Sequence, residues 1–312
     1  MKGRKPILIC IIGPTAIGKS ALAIELAQAF ETEIISADSR QFFKEMTIGT
    51  AVPSDEELAA VPHHFIQNKS IFEDYSVGDF EREAISLINE KFYPSKKNNN
   101  ALETLILVGG SGLYVNAVVY GLDDFPEVSP SIRNGLNADF EKHGIGYLQE
   151  RLKIVDPEYY AKVDLQNPHR VIRALEIYTA TGQPFSLFAS RKPAIRDFET
   201  ILIGFDAERE IIYNRINQRV DQMIAQGLVE EARELHKNQH LNALHTVGYR
   251  ELFSFFDGNL SLEEAIEEIK KNTRRFAKRQ NTWFKKNQAV HWFHYQTQTK
   301  EIVNFIKEKN AL

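Results

Sequence analysis

Residues Gly13-Pro-Thr-Ala-Ile-Gly-Lys-Ser20 carry the spacing G-x-x-x-x-G-K-[ST], which can grip a phosphate. Its glycines let successive backbone N–H groups turn inward around an anion. The helix expected next adds the positive end of its dipole. Gly13, Pro14, Thr15, Ala16, Ile17 and Gly18 would form the cradle. Lys19 would supply a full charge, and the Ser20 hydroxyl would ligate Mg²⁺. A phosphate or diphosphate ligand is implied. The remainder of that ligand stays open, because such a loop reads phosphates and not bases.

Other residues narrow the chemistry. A nucleotide-hydrolysing motor holds Mg²⁺ partly through a carboxylate at the end of a later strand. Leu105–Leu113 (LILVGGSGL) offers none there, and Asn68-Lys69-Ser70-Ile71 lacks the Asp of a guanine reader. A small-molecule kinase remains open. Asp38 follows the second expected strand, where ligands of an open α/β sheet bind. An Asp there can also simply cap a turn. Ser111 holds the matching position after its own strand, so Asp38 could accept a proton with Ser111 as its hydrogen-bond partner. Arg215 and Arg219 lie four apart on one helix face, beside the apolar Ile212, Ile216, Val220 and Met223. Spacing alone leaves that pair either solvated or anion-binding.

Strands and helices must position these groups. Ile7–Ile12 is a continuous apolar run, as in a buried parallel strand. Lys19–Phe30 has helical spacing, with Leu22, Leu26 and Phe30 on one face. Glu33–Ala37 and Thr104–Val108 read as further strands. Between them Ser76–Phe92 reads as a helix opened by a Ser76/Asp79 capping box and stopped by Pro94. Lys96–Asn100 reads as a polar loop. Alternation of this kind predicts an α/β fold with a parallel sheet. From Asp123 the texture turns helical: Ser131–His143, Tyr147–Val155 and His169–Thr181, with Gly182 as a stop signal. A strand returns at Thr200–Phe205, followed by long helices from about Glu208 and over about Ser261–Lys286. The expected organisation is an α/β core of residues 1–122 and 200–312, with a helical insertion at 123–199.

Composition sets the class. The chain has 312 residues, 43% hydrophobic and 26% charged, as a soluble globular protein would. One cysteine, Cys10, excludes an intrachain disulfide framework. No run approaches the roughly 18 apolar residues of a membrane span. The basic Met1–Lys5 stretch leads into the glycine motif without a cleavage site, so a signal peptide is not expected. A cytoplasmic monomer is the expectation.

Net charge is −4, which as an average argues against nucleic acid. Position reverses that. Lys270–Lys286 holds eight basic residues and no acidic one. Ile266, Ile269, Thr273, Phe276, Gln280 and Trp283 are spaced to form its core-facing stripe, which would leave a basic face for phosphates. His236 and His240 have metal-ligand spacing, but the HExxH pattern fails and metal binding is not expected.

Several motifs in order resemble the bacterial tRNA dimethylallyltransferases (the tRNA isopentenyltransferase family). They are GPTAIGKS (13–20), ADSRQ (37–41), IGTA (48–51), PHH (62–64), GGSGLY (109–114), NPHRVIRALEIYTATG (167–182), TVGYRE (246–251) and TRRFAKRQNTWF (273–284). The resemblance covers nearly the whole chain. Departures are small: Ser111 stands where the family has Thr, and Phe42-Phe43 loses a hydroxyl. The chain lacks the cysteines of the zinc finger found in eukaryotic relatives.

The resemblance implies a P-loop NTPase-like parallel sheet flanked by helices, with the loop holding the diphosphate of dimethylallyl diphosphate. It implies Asp38 as general base on an adenine amine, with Ser111 beside it, and Arg219 as a diphosphate contact. It implies Mg²⁺ on Ser20. Ser39, Arg40 and Gln41 would read the base and its neighbours. Gly248, Tyr249, Arg250, Lys278, Arg279 and Gln280, with Arg133, His169, Arg170 and Arg173 of the insertion, would hold the tRNA anticodon stem-loop. Rival readings are an isopentenyltransferase acting on free adenine nucleotides, a P-loop kinase and a non-catalytic tRNA binder.

Overall fold

A computed structural model of the chain describes residues 5–94, 101–189 and 193–311. The expected polar loop at Lys96–Asn100 and the basic Met1–Arg4 lie outside these residues. The chain divides into two compact units, Met1–Tyr120 with Ile195–Leu312, and Gly121–Ala194.

In the first unit, β1 (Ile7–Ile12) runs into the phosphate loop and α1 (Lys19–Ala29). Next come β2 (Ile34–Ser36), α2 (Asp55–Ala60), the two-residue β3 (His63–His64), α3 (Val77–Phe92), β4 (Thr104–Val108) and α4 (Gly112–Tyr120). Helix α3 opens as its sequence predicts. Ser76 Oγ accepts from Asp79 N–H, and Asp79 Oδ2 accepts from Ser76 N–H at 2.8 Å.

The second unit is helical: α5 (Pro130–Val155), α6 (Pro157–Tyr160), α7 (Pro168–Thr181) and α8 (Phe185–Phe188). Gly144 breaks α5 with φ 74° and ψ 177°, between the two helices expected there. Leu136, Leu148, Leu152, Val171, Ile172 and Leu175 form its core. Gly182 ends α7 in the left-handed region, as a C-terminal stop should.

The first unit resumes with β5 (Glu199–Asp206), α9 (Arg209–Ala225), α10 (Leu228–Leu235), two short 3₁₀ turns, α11 (Tyr249–Phe256), α12 (Leu262–Phe284), β6 (Val290–His294) and α13 (Thr299–Ala311). The six strands pair in parallel in the order β3-β2-β4-β1-β5-β6. Side chains of β1 alternate between two cores, as a strand buried on both faces requires. Ile7, Ile9 and Ile11 pack with α1, Ile212, Ile216 and Ile302. Leu8, Cys10 and Ile12 pack with Phe80, Ala84 and Val118. Burial raises the Cys10 thiol pKa well above its ordinary value, so it stays protonated. A third apolar cluster joins α10, α11 and α12 to Phe43, Met46 and Ile71.

Helix α12 departs from expectation. Ile269 and Gln280 are buried, but Phe276 and Trp283 are 39% and 41% exposed. Ala265, Ala277 and Phe284 take the buried positions instead. The inward stripe is therefore narrower than spacing suggests, and two aromatic rings face out. Among the described residues no helix is long and apolar enough to cross a membrane.

Candidate active site

Chain chemistry shapes the phosphate loop first. Gly13 and Gly18 have φ 140° and 109°, which side chains rarely adopt. A Cβ on Gly13 would also sit 2.9 Å from the Phe205 carbonyl oxygen, so the β1–β5 seam excludes one. Lys19 Nζ donates to the Pro14 carbonyl at 2.8 Å, folding its charge over the loop. Burial, then the charge of Arg219, push the Lys19 pKa down to about 8, with Asp38 acting in the opposite sense. A pre-placed cation of this kind is poised to gain from an arriving anion.

Asp38 follows β2. Its Oδ1 accepts from Arg40 N–H at 3.0 Å, the turn-capping role expected of an Asp here. That bond fixes the carboxylate while it lines a cavity of about 610 Å³ shared with Thr15, Ser111, Arg219 and Tyr114. Ser111 accepts from Ser39 N–H and donates to Ser39 Oγ, both at 3.1 Å. The hydroxyl thus ties the β4–α4 turn to the loop after β2, rather than meeting Asp38 directly.

Arg219 lines this cavity and a second one of about 950 Å³. The second holds Lys19, Ser20 and Arg215. Ala51 and Met223 also border both, so the cavities meet at the phosphate loop. Burial disfavours the Arg219 charge, and Asp38 and Glu57 favour it. Arg215 sits on the same side: its guanidinium would lie 3.8 Å from a Cβ on Gly18, and it stacks over Tyr295. Spacing could not rank the two arginines, and both line the cavity that holds Lys19 and Ser20.

Several residues expected to touch RNA are committed within the protein. Arg40 donates to the Asn242 and Ala243 carbonyls at 3.2 and 2.9 Å. Gln41 accepts from Ser36 Oγ at 3.0 Å and donates to the Thr50 and Ala51 carbonyls. Tyr249 is fully buried and donates to Glu231 at 2.7 Å. Gln280 is 6% exposed, accepts from Thr15 N–H at 2.8 Å and donates to the Gly110 carbonyl at 2.9 Å. Arg40 and Gln280 line the cavity, and all four hold neighbouring segments through these bonds. Sequence position placed them at the site, but it could not say which way they point. Gly248 N–H donates to Glu251, while Arg250 is half-exposed and lines the cavity.

Glu231 was not singled out from sequence. Its carboxylate accepts from the backbone N–H groups of Thr47, Ile48 and Gly49 at 3.0, 2.8 and 2.9 Å, and from Tyr249. Three consecutive amides and one phenol thus hold the 47–51 wall. One of three glutamates in the LVEEAREL helix, Glu231 gives no sign of this in sequence.

The basic run of α12 also resolves. Lys270 pairs with Asp221 and Glu267, Lys271 with Glu268 and Lys285 with Asp206. Arg274 donates to Asn217 at 2.6 Å. Exposed Arg275, Lys278, Arg279 and Lys286 have no acidic partner among the described residues. The freely presented charge is thus about half the run. In the insertion, Arg133 and Arg173 pair with the buried Glu176, while His169 and Arg170 are exposed. His236 bonds Asp257 and packs at steep angles against the Phe253 and Phe256 rings, and His64 bonds Glu33.

A parallel sheet whose phosphate loop faces strand ends carrying an Asp and a Ser, with arginines beside it, defines a P-loop-like α/β protein with an anion-binding cavity. A family model described as IPP transferase matches residues 41–287. The tRNA dimethylallyltransferase of Flavobacterium johnsoniae is 58% identical over 96% of this chain and 97% of its own. That of Christiangramia forsetii is 59% identical over 97% and 98%. The full-length tRNA isopentenylpyrophosphate transferase of Bacillus halodurans superposes with a TM-score of 0.70 at 39% identity, covering 98% of this chain and 97% of that one. A eukaryotic dimethylallyltransferase acting on tRNA gives a TM-score of 0.80 at 25% identity, over 97% and 80%. The chain belongs to the IPP transferase family.

Proposed function

We propose that the protein transfers a dimethylallyl group from dimethylallyl diphosphate to the exocyclic amine of the adenosine 3′ to the anticodon in tRNA. The convergence of Asp38, Ser111 and Arg219 on one cavity at the phosphate loop carries this reading. The names of full-length relatives support RNA as acceptor over free nucleotides. The same names weigh against a kinase.

In the reaction the C1–O bond to diphosphate breaks and a C1–N bond to adenine forms. Negative charge grows on the departing diphosphate, and Lys19, Arg219 and the loop amides are placed to meet it. The adenine amine is a weak nucleophile, so Asp38 accepts its proton as the bond forms. Ser111 and the Arg40 amide hold that carboxylate's surroundings in place.

Among the described residues no three His, Cys, Asp or Glu groups cluster as metal ligands. Ser20 alone offers a hydroxyl at the helix start. A Mg²⁺ held by one hydroxyl, diphosphate oxygens and water fits that sparse donor set. When bound it would neutralise leaving-group charge. Exposed Arg275, Lys278, Arg279, Lys286 and Arg250 of the first unit supply cations for RNA phosphates; within the insertion, exposed Arg170 adds a cation and His169 a hydrogen-bonding ring. A tRNA substrate also fits a cytoplasmic location.

The test incubates the protein with Mg²⁺, undermodified tRNA and dimethylallyl diphosphate, then weighs the digested nucleosides. One prenyl unit gained on adenosine in tRNA supports the reading. Modification of free AMP alone, ATP consumption, or binding without a mass change would each replace it.

A further inference from the structure

Three large apolar side chains stand exposed around one cavity. Leu113, Phe276 and Trp283 are 49%, 39% and 41% exposed, and all three line the cavity that contains Asp38. Phe276 and Trp283 are seven apart on α12, hence on one face two turns apart. Large apolar groups scattered singly on a surface need no explanation, but a cluster at a cavity mouth does.

Trp283 is braced. A Cβ on Gly112 would sit 2.4 Å from its Cδ1 and Nε1 atoms, so the indole packs directly on the backbone that opens α4. Glycine is needed there because of this close approach. Arg279 stacks over Phe276 at 5.7 Å and also faces the cavity. Rigid aromatic rings edged by arginine are what unstacked RNA bases settle on.

We propose that Trp283, with Phe276 and Leu113, forms a stacking shelf for an unpaired base next to the one that enters the cavity. This inference rests on RNA being the acceptor. The shelf holds the neighbour while the target base is drawn inward, so extrusion of one base is offset by stacking of the next. It makes Trp283 a specificity residue outside the reacting atoms.

The chain has two tryptophans, and Trp292 lies in β6. A Trp292→Phe variant therefore leaves Trp283 as the single reporter. Unmodified anticodon stem-loop RNA should quench its emission saturably. Quenching should survive an abasic site at the target position and vanish with an abasic site at one flanking position. Trp283→Leu should raise KM for RNA about tenfold, leaving kcat and KM for the prenyl diphosphate unchanged, and Trp283→Phe should recover most of the loss. Quenching that follows the target base, absence of quenching by RNA that is turned over, or a Trp283→Leu effect on kcat alone would overturn the shelf. Failure of the unaltered chain to prenylate any RNA would overturn the functional reading instead.

Discussion

The charge state of Lys19 should set how tightly the prenyl diphosphate binds. Without ligand its pKa is pushed down to about 8, mainly by burial and secondarily by Arg219. The sign follows from a depressed lysine: charge is present below about pH 8 and lost above it. A bound diphosphate would sit against the ammonium and hold its proton, so binding above pH 8 must take a proton up. Roughly nine-tenths of the free protein is charged at pH 7 and one-tenth at pH 9. Affinity should thus fall about tenfold between those values, or about 1.4 kcal/mol. The ligand's own last ionisation is near 6, below this window. Calorimetry in two buffers of different ionisation heat would read about half a proton taken up at pH 8, rising towards one at pH 9.5. Arg219→Gln removes one depressing charge and should move the midpoint upward. No proton uptake and a flat Kd from pH 7 to 9.5 would refute the argument.

Asp38→Asn should keep RNA affinity while turnover falls by about 10²–10⁴, and weakened binding with normal turnover at saturating RNA would sink the general-base role. Glu231→Gln should destabilise the fold by about 2–4 kcal/mol in urea titration, because three amides and a phenol lose a charged acceptor. An unchanged midpoint there would mean that the 47–51 wall holds itself. Neutralising Lys278 and Arg279 together should weaken RNA binding and reduce the slope of log affinity against log salt by about 1–2. An unaltered slope would leave those residues as merely solvated charges.

Local chemistry made much of the fold legible. The phosphate loop, β1, β4 and the capped start of α3 follow from strings whose meaning is carried within a few residues. Two-residue β3 and the edge strand β6, with its polar His291 and His294, carry too little apolar pattern to be read alone. The site was legible as a set of positions but not as directions. All of Asp38, Arg219, Arg40 and Gln280 line the cavity, but Arg40 gives its donors to Ala243, far along the chain, and Gln280 its amide to Thr15 and Gly110. An Arg beside an active-site Asp looks the same in sequence whether it greets a ligand or ties two loops together. Trp283 differs the other way: its helical spacing implied burial, but only one side of the indole packs, on Gly112, and the ring stays 41% exposed.

The Gln280 bridge has a consequence for synthesis. Its two bonds, to Thr15 and Gly110, join residues from near the start of the chain, from its second third and from its last third. A ribosome makes the loop early and α12 late, at about 5–20 residues per second. The nascent phosphate loop therefore waits some 265 residues for its brace, about 13 to 53 seconds at those rates. During that interval the loop lacks the two bonds that Gln280 supplies. A truncated chain ending before α12 would be left with Thr15 N–H and the Gly110 carbonyl unpaired, and chimeras that exchange the last third of the chain must match it to the first.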